Sequence, residues 1–484
     1  MKIRFCQWIG LCLLLLFSAC SKNNRYVNVL PADASCVVSA HLPVLIEKSG
    51  LSEQDFELWM GKIDKLVKEK SQSQDWALLG KLLACPEKNG INWEKEIYLF
   101  MHPEIEQVGL LAPVSDYERL GSALDELVRQ GVCKSFIEKE NCRLSFFDNG
   151  FAVAYNDEAF LVIGVPSEIG ADKVGDLLTR WMSASEENSF ISTEGFNKLS
   201  KAEGDIKMVA SMNMLPQKYV AMSMAGVSDD FLWKGMYSLG AVSFEKGKLV
   251  MKVENFQTGD KAEEESFRIA DLYKGETSGK FLAEFPGDMM LWLNTTVNGE
   301  KWNEVLCHQP LLKEQLKNTH LFVNLEKCIT ALKGELALGV SVSSRIPEFG
   351  LFAEVENDEF LKELAPFQST LSLLGFQYGV KEGVFSLTNY EKGKDDLLAE
   401  AVWTKDSENK LFFLTLDLKA LQAIAPFLSS SEAMAVGIAA AYIENIQVYS
   451  SEINSGNLVI KAVNKDTNML KQCVDLVKKM AENQ

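Results

Sequence analysis

The chain has 484 residues, 47% of them hydrophobic, and a formal net charge of −18 at neutral pH. At about 150 residues per domain this length suggests two or three domains, and the apolar fraction suffices for packed cores. So acidic a chain repels phosphate, and no basic stripe offsets the charge, which makes nucleic acid and anionic lipid surfaces poor partners.

At the start, Lys2 and Arg4 precede an apolar stretch from Ile9 to Phe17, and Ser18-Ala19-Cys20 places small residues before a cysteine. An apolar run that short cannot span a bilayer core of about 30 Å as a helix, so residues 1–19 are expected to be a lipoprotein signal peptide. Cys20 then becomes a lipidated N-terminus and a membrane anchor, carrying palmitate or a related chain. Ser21 follows it, not aspartate, and Lys22-Asn23-Asn24-Arg25 lacks an acidic cluster. The expected address is therefore the outer membrane, with the body facing the periplasm. No later stretch reaches the roughly 18 uninterrupted apolar residues of a membrane helix; Met434 to Ile446 comes nearest.

Along the mature chain, Leu30-Pro31-Ala32-Asp33 leads into an apolar strand from Ser35 to Leu42. Phe56, Trp59, Met60, Ile63, Leu66 and Val67 recur at helical spacing. A strand from Glu96 to Met101 precedes Gly109-Leu110-Leu111-Ala112-Pro113-Val114, and a helix from Tyr117 to Gln130 follows. Strands Cys142 to Phe147 and Phe151 to Tyr155 flank Asp148-Asn149-Gly150, a hairpin signal because Asn-Gly tolerates positive φ. Met208, Met212 and Met214 are expected on one face of a strand, as core, with Met222 and Met224 beyond. Tyr273 to Lys280 is polar and turn-prone, and is taken as a domain boundary.

Past that point the pattern returns. Phe285-Pro286-Gly287-Asp288 leads into a strand from Met289 to Thr296, and Glu335 to Val340 precedes Gly350-Leu351-Phe352-Ala353-Glu354-Val355. A helix from Asp358 to Leu373 comes next, and then a hairpin, Tyr378 to Lys381 and Val384 to Thr388 around Glu382-Gly383. Finally, the run Gly247 to Asn255 matches Gly456 to Asn464 in its glycine, Leu-Val, lysine and asparagine. Three matches in one order point to an internal duplication. Adjacent hairpins imply antiparallel pairing. The expected fold is α+β: residues 20–275 and 276–484 form two similar tandem domains, each an antiparallel sheet with helices on one face.

Chemistry is sparse. Of ten cysteines, Cys6 and Cys12 leave with the signal and Cys20 is acylated. Seven remain, an odd number, with no Cys-x-x-Cys; they read as small buried residues. Whether Cys133 and Cys142 are bridged stays open. His41, His102, His308 and His320 show no metal-ligand spacing, and His102-Pro103-Glu104 makes no metal site. Asp33, Ser39 and His41 are close in sequence, but no nucleophile elbow supports a triad. Glu263-Glu264-Glu265 and Asp395-Asp396 read as solvated faces. The sequon at Asn294 carries little weight in an exported bacterial protein. No catalytic residue, metal or cofactor is assigned.

The opening Val29-Leu30-Pro31-Ala32-Asp33-Ala34-Ser35, with Val37-Val38-Ser39 and Leu45-Ile46-Glu47-Lys48-Ser49-Gly50-Leu51, resembles a family of gut-commensal-type bacterial lipoproteins catalogued as a domain of unknown function. The resemblance implies an envelope protein of two similar α+β halves, with no known reaction. The expected function is a membrane-anchored envelope lipoprotein of non-catalytic binding or scaffold type, its partners the membrane through Cys20 and another envelope protein. The alternatives are an envelope hydrolase with a site assembled from distant residues, and a carrier for lipids or lipoproteins.

Overall fold

A computed structural model describes residues 25–52, 89–147, 150–166, 169–214, 235–258, 270–287, 289–308, 323–342, 346–390, 398 and 404–482. Cys20 and its leader, the helix expected around 56–67, the acidic runs and His320 lie outside these residues. The chain is a mixture of helices and strands dominated by antiparallel pairing, in two compact units, Met1–Ala210 and Ser211–Gln484.

In the first unit the strands are β1 (Cys36–Ala40), β2 (Ile97–Met101), β3 (Val108–Pro113), β4 (Ile137–Lys139), β5 (Cys142–Phe147), β6 (Phe151–Tyr155), β7 (Ala159–Gly164) and β8 (Ile206–Ser211). They pair in the order β8-β1-β2-β3-β7-β6-β5-β4, every pair antiparallel. The helices are α1 (Leu42–Ser49), α2 (Tyr117–Arg129), α3 (Ala171–Met182) and α4 (Glu194–Lys201). Helix α2 starts where Asp116 accepts the Arg119 N–H at 3.0 Å, satisfying one of the unpaired donors at a helix start. Its apolar stripe, Leu120, Leu124 and Leu127, packs into a core with Ile91, Val153, Tyr155 and Phe160.

In the second unit the strands are β9 (Met236–Glu245), β10 (Lys248–Gln257), β11 (Met289–Thr296), β12 (Leu332–Ser341), β13 (Glu348–Val355), β14 (Gln377–Lys381), β15 (Val384–Thr388), β16 (Phe412–Asp417), β17 (Ile443–Ser450) and β18 (Ser455–Ala462). Their order is β9-β10-β18-β17-β16-β11-β12-β13-β15-β14, again antiparallel throughout. Helices are α5 (Gly299–His308), α6 (Leu325–Thr330), α7 (Glu359–Leu364), α8 (Gln368–Leu373), α9 (Leu418–Leu421), α10 (Ser430–Tyr442) and α11 (Met469–Glu482).

The division between units differs from the expected boundary at 275/276. It falls at Ala210/Ser211, because the β9–β10 hairpin pairs with β18 through Val250↔Val459. The polar segment at 273–280 is no loose linker either. Thr277 is buried, its N–H donates to the Lys410 carbonyl at 2.7 Å, and its hydroxyl donates to the Ser407 carbonyl at 2.9 Å. The helix expected from Asp358 to Leu373 breaks into α7, a 3-10 turn Ala365–Phe367 and α8. Pro366 lies in that turn and lacks the N–H a continuous helix needs. The apolar run 434–446 divides into the end of α10 and the start of β17, and no helix among the described residues is long and apolar enough to cross a membrane.

Candidate functional site: a partly exposed apolar sheet face

Side chains alternate across a strand, so residues paired across neighbouring strands share one face of the sheet. In the second unit one face is closed. Trp292, Phe413 and Ala337 are fully buried there, packed with Phe285 and Phe352. Polar residues are buried on it too. Asn445 donates to the Thr415 hydroxyl at 2.5 Å, and Gln447 pairs with Thr415 across β16–β17.

Glu335 is buried and accepts four hydrogen bonds, from the Ser278 N–H (3.0 Å), the Ser278 hydroxyl (2.7 Å), the Gly279 N–H (3.1 Å) and Asn294 Nδ2 (2.9 Å). A buried carboxylate is tolerated when hydrogen-bonded this fully. Asn294 is itself fully buried, so its sequon is not displayed. Beside it, the Glu335 N–H donates to Glu354 at 2.7 Å, and Lys280 pairs with Glu354. Burial alone would raise the Glu354 carboxyl, but the Lys280 ammonium and that backbone N–H hold it below the usual range.

The opposite face is different. Leu293 pairs with Leu414, and the row continues through Val448, Leu458 and Met251 to Val242. In the other direction Leu293 pairs with Leu338, and the row continues through Leu351 and Leu387 to Tyr378. This single row crosses all ten strands. Each of its members is apolar or aromatic, and each is only partly buried. A second row, two residues along the strands, runs from Leu291 through Leu416, Ile446, Ile460 and Leu249 to Phe244, and on the other side through Val340 to Phe349. It too is apolar and partly buried throughout.

Helices reach this unit's strands without burying the rows. Helix α9 touches β11, β16 and β17, and α10 touches β17. At one end of the long row this face is closed: Leu351, Leu387 and Tyr378 pack with Trp302, Phe360 and Leu364 around Ala353 and Phe385, which are fully buried on the same face. The first unit carries a shorter version: Ser39, Lys207 and Tyr98 are buried on one face, while Met208, Val38 and Leu99 lie paired in a row on the other, Leu99 being 42% exposed.

The first unit also holds an open polar groove of about 1070 Å³ whose lining includes Asp33, Glu104, Lys139, Asp176, Arg180 and Trp181. Most of its charges are paired or hydrogen-bonded: Lys139 with Asp176 (3.2 Å), Lys173 with Glu104 (3.8 Å), and Asp33 with the His102 ring nitrogen (3.1 Å). His102 is buried against Trp181, their ring centres 5.0 Å apart, and its Nδ1 accepts the Glu104 N–H.

Asp33 therefore engages His102 and not His41, whose Nε2 lies 2.9 Å from the Glu94 carbonyl. Asp33, Ser39 and His41 form no relay. His308 ends α5. Cys133 and Cys142 are buried and not joined by a disulfide. Cys133 bridges Phe147, at the far end of β5 from Cys142, about 17 Å away along the strand. Burial raises the thiols of Cys36, Cys142 and Cys473, and pushes that of Cys328 up to about 11. A raised thiol is a poor nucleophile. Burial also pushes the Tyr155 hydroxyl up to about 12. Of the methionines, only Met208 lies on the strand face as expected, and it is partly exposed. The strand ends at Ser211, Met212 is buried in a following turn, and Met214 is 36% exposed. Met222 and Met224 lie outside the described residues.

The apolar rows escape a reading of the sequence because alternation shows that two faces differ without showing which one is covered. Their one signal is the presence of Thr415, Asn445 and Gln447 between aliphatic residues on central strands.

A family model described as Domain of unknown function (DUF4836) matches residues 26–377. No curated protein matches the chain. Among solved structures, crystal form I of TP0453 is 9% identical with a TM-score of 0.29, covering 53% of this chain and 88% of that one. Crystal form III is 10% identical with a TM-score of 0.28, covering 51% and 86%, and form IV is 10% identical with the same score, covering 47% and 79%.

Proposed function

The chain belongs to the DUF4836 family, and from that premise we propose that it is an envelope lipoprotein, anchored through Cys20, that binds a partner or ligand without catalysis. The observation that carries this reading is the ten-strand apolar row left partly exposed on the second unit. Its members are only partly exposed, and a continuous apolar surface that is not fully covered suits a binding site. The raised thiols and the ion-paired groove point the same way, since catalytic groups are tuned toward reactivity.

The same reading includes duplication. The strand order β8-β1-β2-β3-β7-β6 recurs as β16-β11-β12-β13-β15-β14. Leu30 and Phe285, at matching places before β1 and β11, are both fully buried. A compensating exchange accompanies them. Phe100 pairs with Gly109 and covers it so closely that a Cβ on Gly109 would lie 2.4 Å from the ring. At the matching pair, Gly339 and Gly350, both residues are glycine, and the ring above them comes from Phe285 in the loop. The repeated runs beginning at Gly247 and Gly456 pair with each other. Val250 opposes Val459, its counterpart, while Leu249 opposes Ile460 and Met251 opposes Leu458. That register is self-complementary, as in a two-fold interface.

Fractionation tests the anchor: Cys20→Ala should move the protein from the membrane to the soluble periplasmic fraction. Retention in membranes through detergent-free washing would contradict it. Cross-linking and pull-down from native envelopes tests the binding reading. Recovery of no partner or ligand, together with turnover of a periplasmic substrate by the purified chain, would contradict that.

A further inference from the structure

We infer that the polar groove of the first unit binds a neutral oligosaccharide, at a site separate from the apolar sheet face. Buried structure holds this groove in shape. His102 is fully buried, and its Nδ1 accepts the Glu104 N–H at 3.2 Å. The neutral ring then carries its proton on Nε2, which donates to Asp33 at 3.1 Å. One enclosed ring thus fixes two residues of the lining. The Asp33 side chain, 63% exposed, keeps its remaining acceptor sites for the groove.

Charge argues against an ionic ligand. The lining has four carboxylates, Asp33, Glu104, Glu140 and Asp176, against the two cations Lys139 and Arg180, so a phosphate or sulfate meets mostly like charge. A cationic ligand would have to displace Lys139 from Asp176 and Lys173 from Glu104. What the lining offers is hydrogen-bond acceptors. The Thr179 and Ser183 hydroxyls donate inward, to the Gly175 carbonyl and to Glu140, and present their lone pairs outward. A nearly self-neutralised wall of acceptors suits a ligand of many hydroxyls.

Length argues for a chain of sugars. The groove, about 1070 Å³, shares Ser183 and Ala184 with a neighbouring cavity of about 570 Å³. That cavity shares Asn141, Asn156 and Asp157 with a third, of about 340 Å³. Polar residues line the series around the β4–β5 turn, whereas a pocket for one compact molecule is mostly apolar. The third cavity ends at Tyr117, half-buried against Tyr155, an aromatic ring with a polar tip on which a sugar ring can stack. A peptide is disfavoured, because the edge strand beside the groove, β4, has only three residues to offer for strand addition.

The test uses the full mature chain carrying Cys20→Ser in isothermal titration. The probes are neutral α-glucan, β-glucan, mannan and chitin oligosaccharides, from disaccharide to hexasaccharide, with a sulfated oligosaccharide as control. The expected result is saturable binding of at least one neutral series, tightening by about tenfold or more from disaccharide to hexasaccharide as the chain enters the adjoining cavities. Asp33→Ala, its fold checked by circular dichroism, should weaken that binding by about tenfold or more, and Asp33→Asn, which still offers His102 an acceptor oxygen, by less. Asn141→Ala, at the exposed turn, should weaken the hexasaccharide and leave the disaccharide unchanged. Binding of no neutral series, binding of the sulfated control alone, or full binding by both alanine variants would overturn the inference. The reading of the apolar face stands or falls on envelope cross-linking, whatever this titration gives.

Discussion

The two faces of the second unit's sheet are built from the same strands, often from adjacent residues, and are closed to different extents: one is closed along the central strands, the other at its β13–β15 end, where Ala353 and Phe385 are fully buried. On one, Trp292 and Phe413 are fully buried and even Thr415 and Gln447 are enclosed. On the other, Leu293 and Leu414, next in sequence to Trp292 and Phe413, remain partly exposed. Hydrophobicity alone does not decide which face closes. The closed face has aromatic side chains from the loop at 281–285 laid across it, with Phe281 and Phe285 packed against Phe352. Of its polar groups, the Glu335 carboxylate and the Asn294 and Asn445 amide nitrogens are held by hydrogen bonds, which makes their burial tolerable.

Substitutions on the two faces should separate accordingly. Trp292→Ala, which empties a filled core, is expected to lose about 3–5 kcal/mol of stability in urea unfolding. Glu335→Ala, which strands four donors on the closed side, is expected to lose about 2 kcal/mol, and Glu335→Gln, which keeps an acceptor oxygen, about half of that. Leu293→Ala, on the open face, is expected to lose about 1 kcal/mol, because much of its burial is missing already. A loss at Leu293 as large as that at Trp292 would mean that both faces are packed alike.

Much of the local structure was legible in the sequence. Strand β11 runs from Met289 to Thr296 as expected, β5 and β6 have the expected bounds, and helix α2 spans Tyr117–Arg129 where Tyr117 to Gln130 was expected. These features depend on neighbours in sequence. The unit boundary did not, because it turns on Val250 meeting Val459, a pairing between distant residues. Nor did the pinning of Ser278 by Glu335, 57 residues later, which makes an apparent linker part of a core. The open face was hidden for the opposite reason: its leucines look like any core. Only the placement of helices and loops shows that one side of the alternation is closed along the central strands and the other chiefly at its β13–β15 end.

The most direct measurement compares neighbours on the two faces. Leu414→Cys and Thr415→Cys differ by one position along β16 and point to opposite sides of the sheet. Alkylation by iodoacetamide, followed at the β16 peptide by mass spectrometry, should modify Cys at 414 at least about tenfold faster than Cys at 415, in line with partial exposure against 2% exposure of the native residues. Equal protection of the two, with the fold intact by circular dichroism, would show that the apolar face is closed and contradict the account.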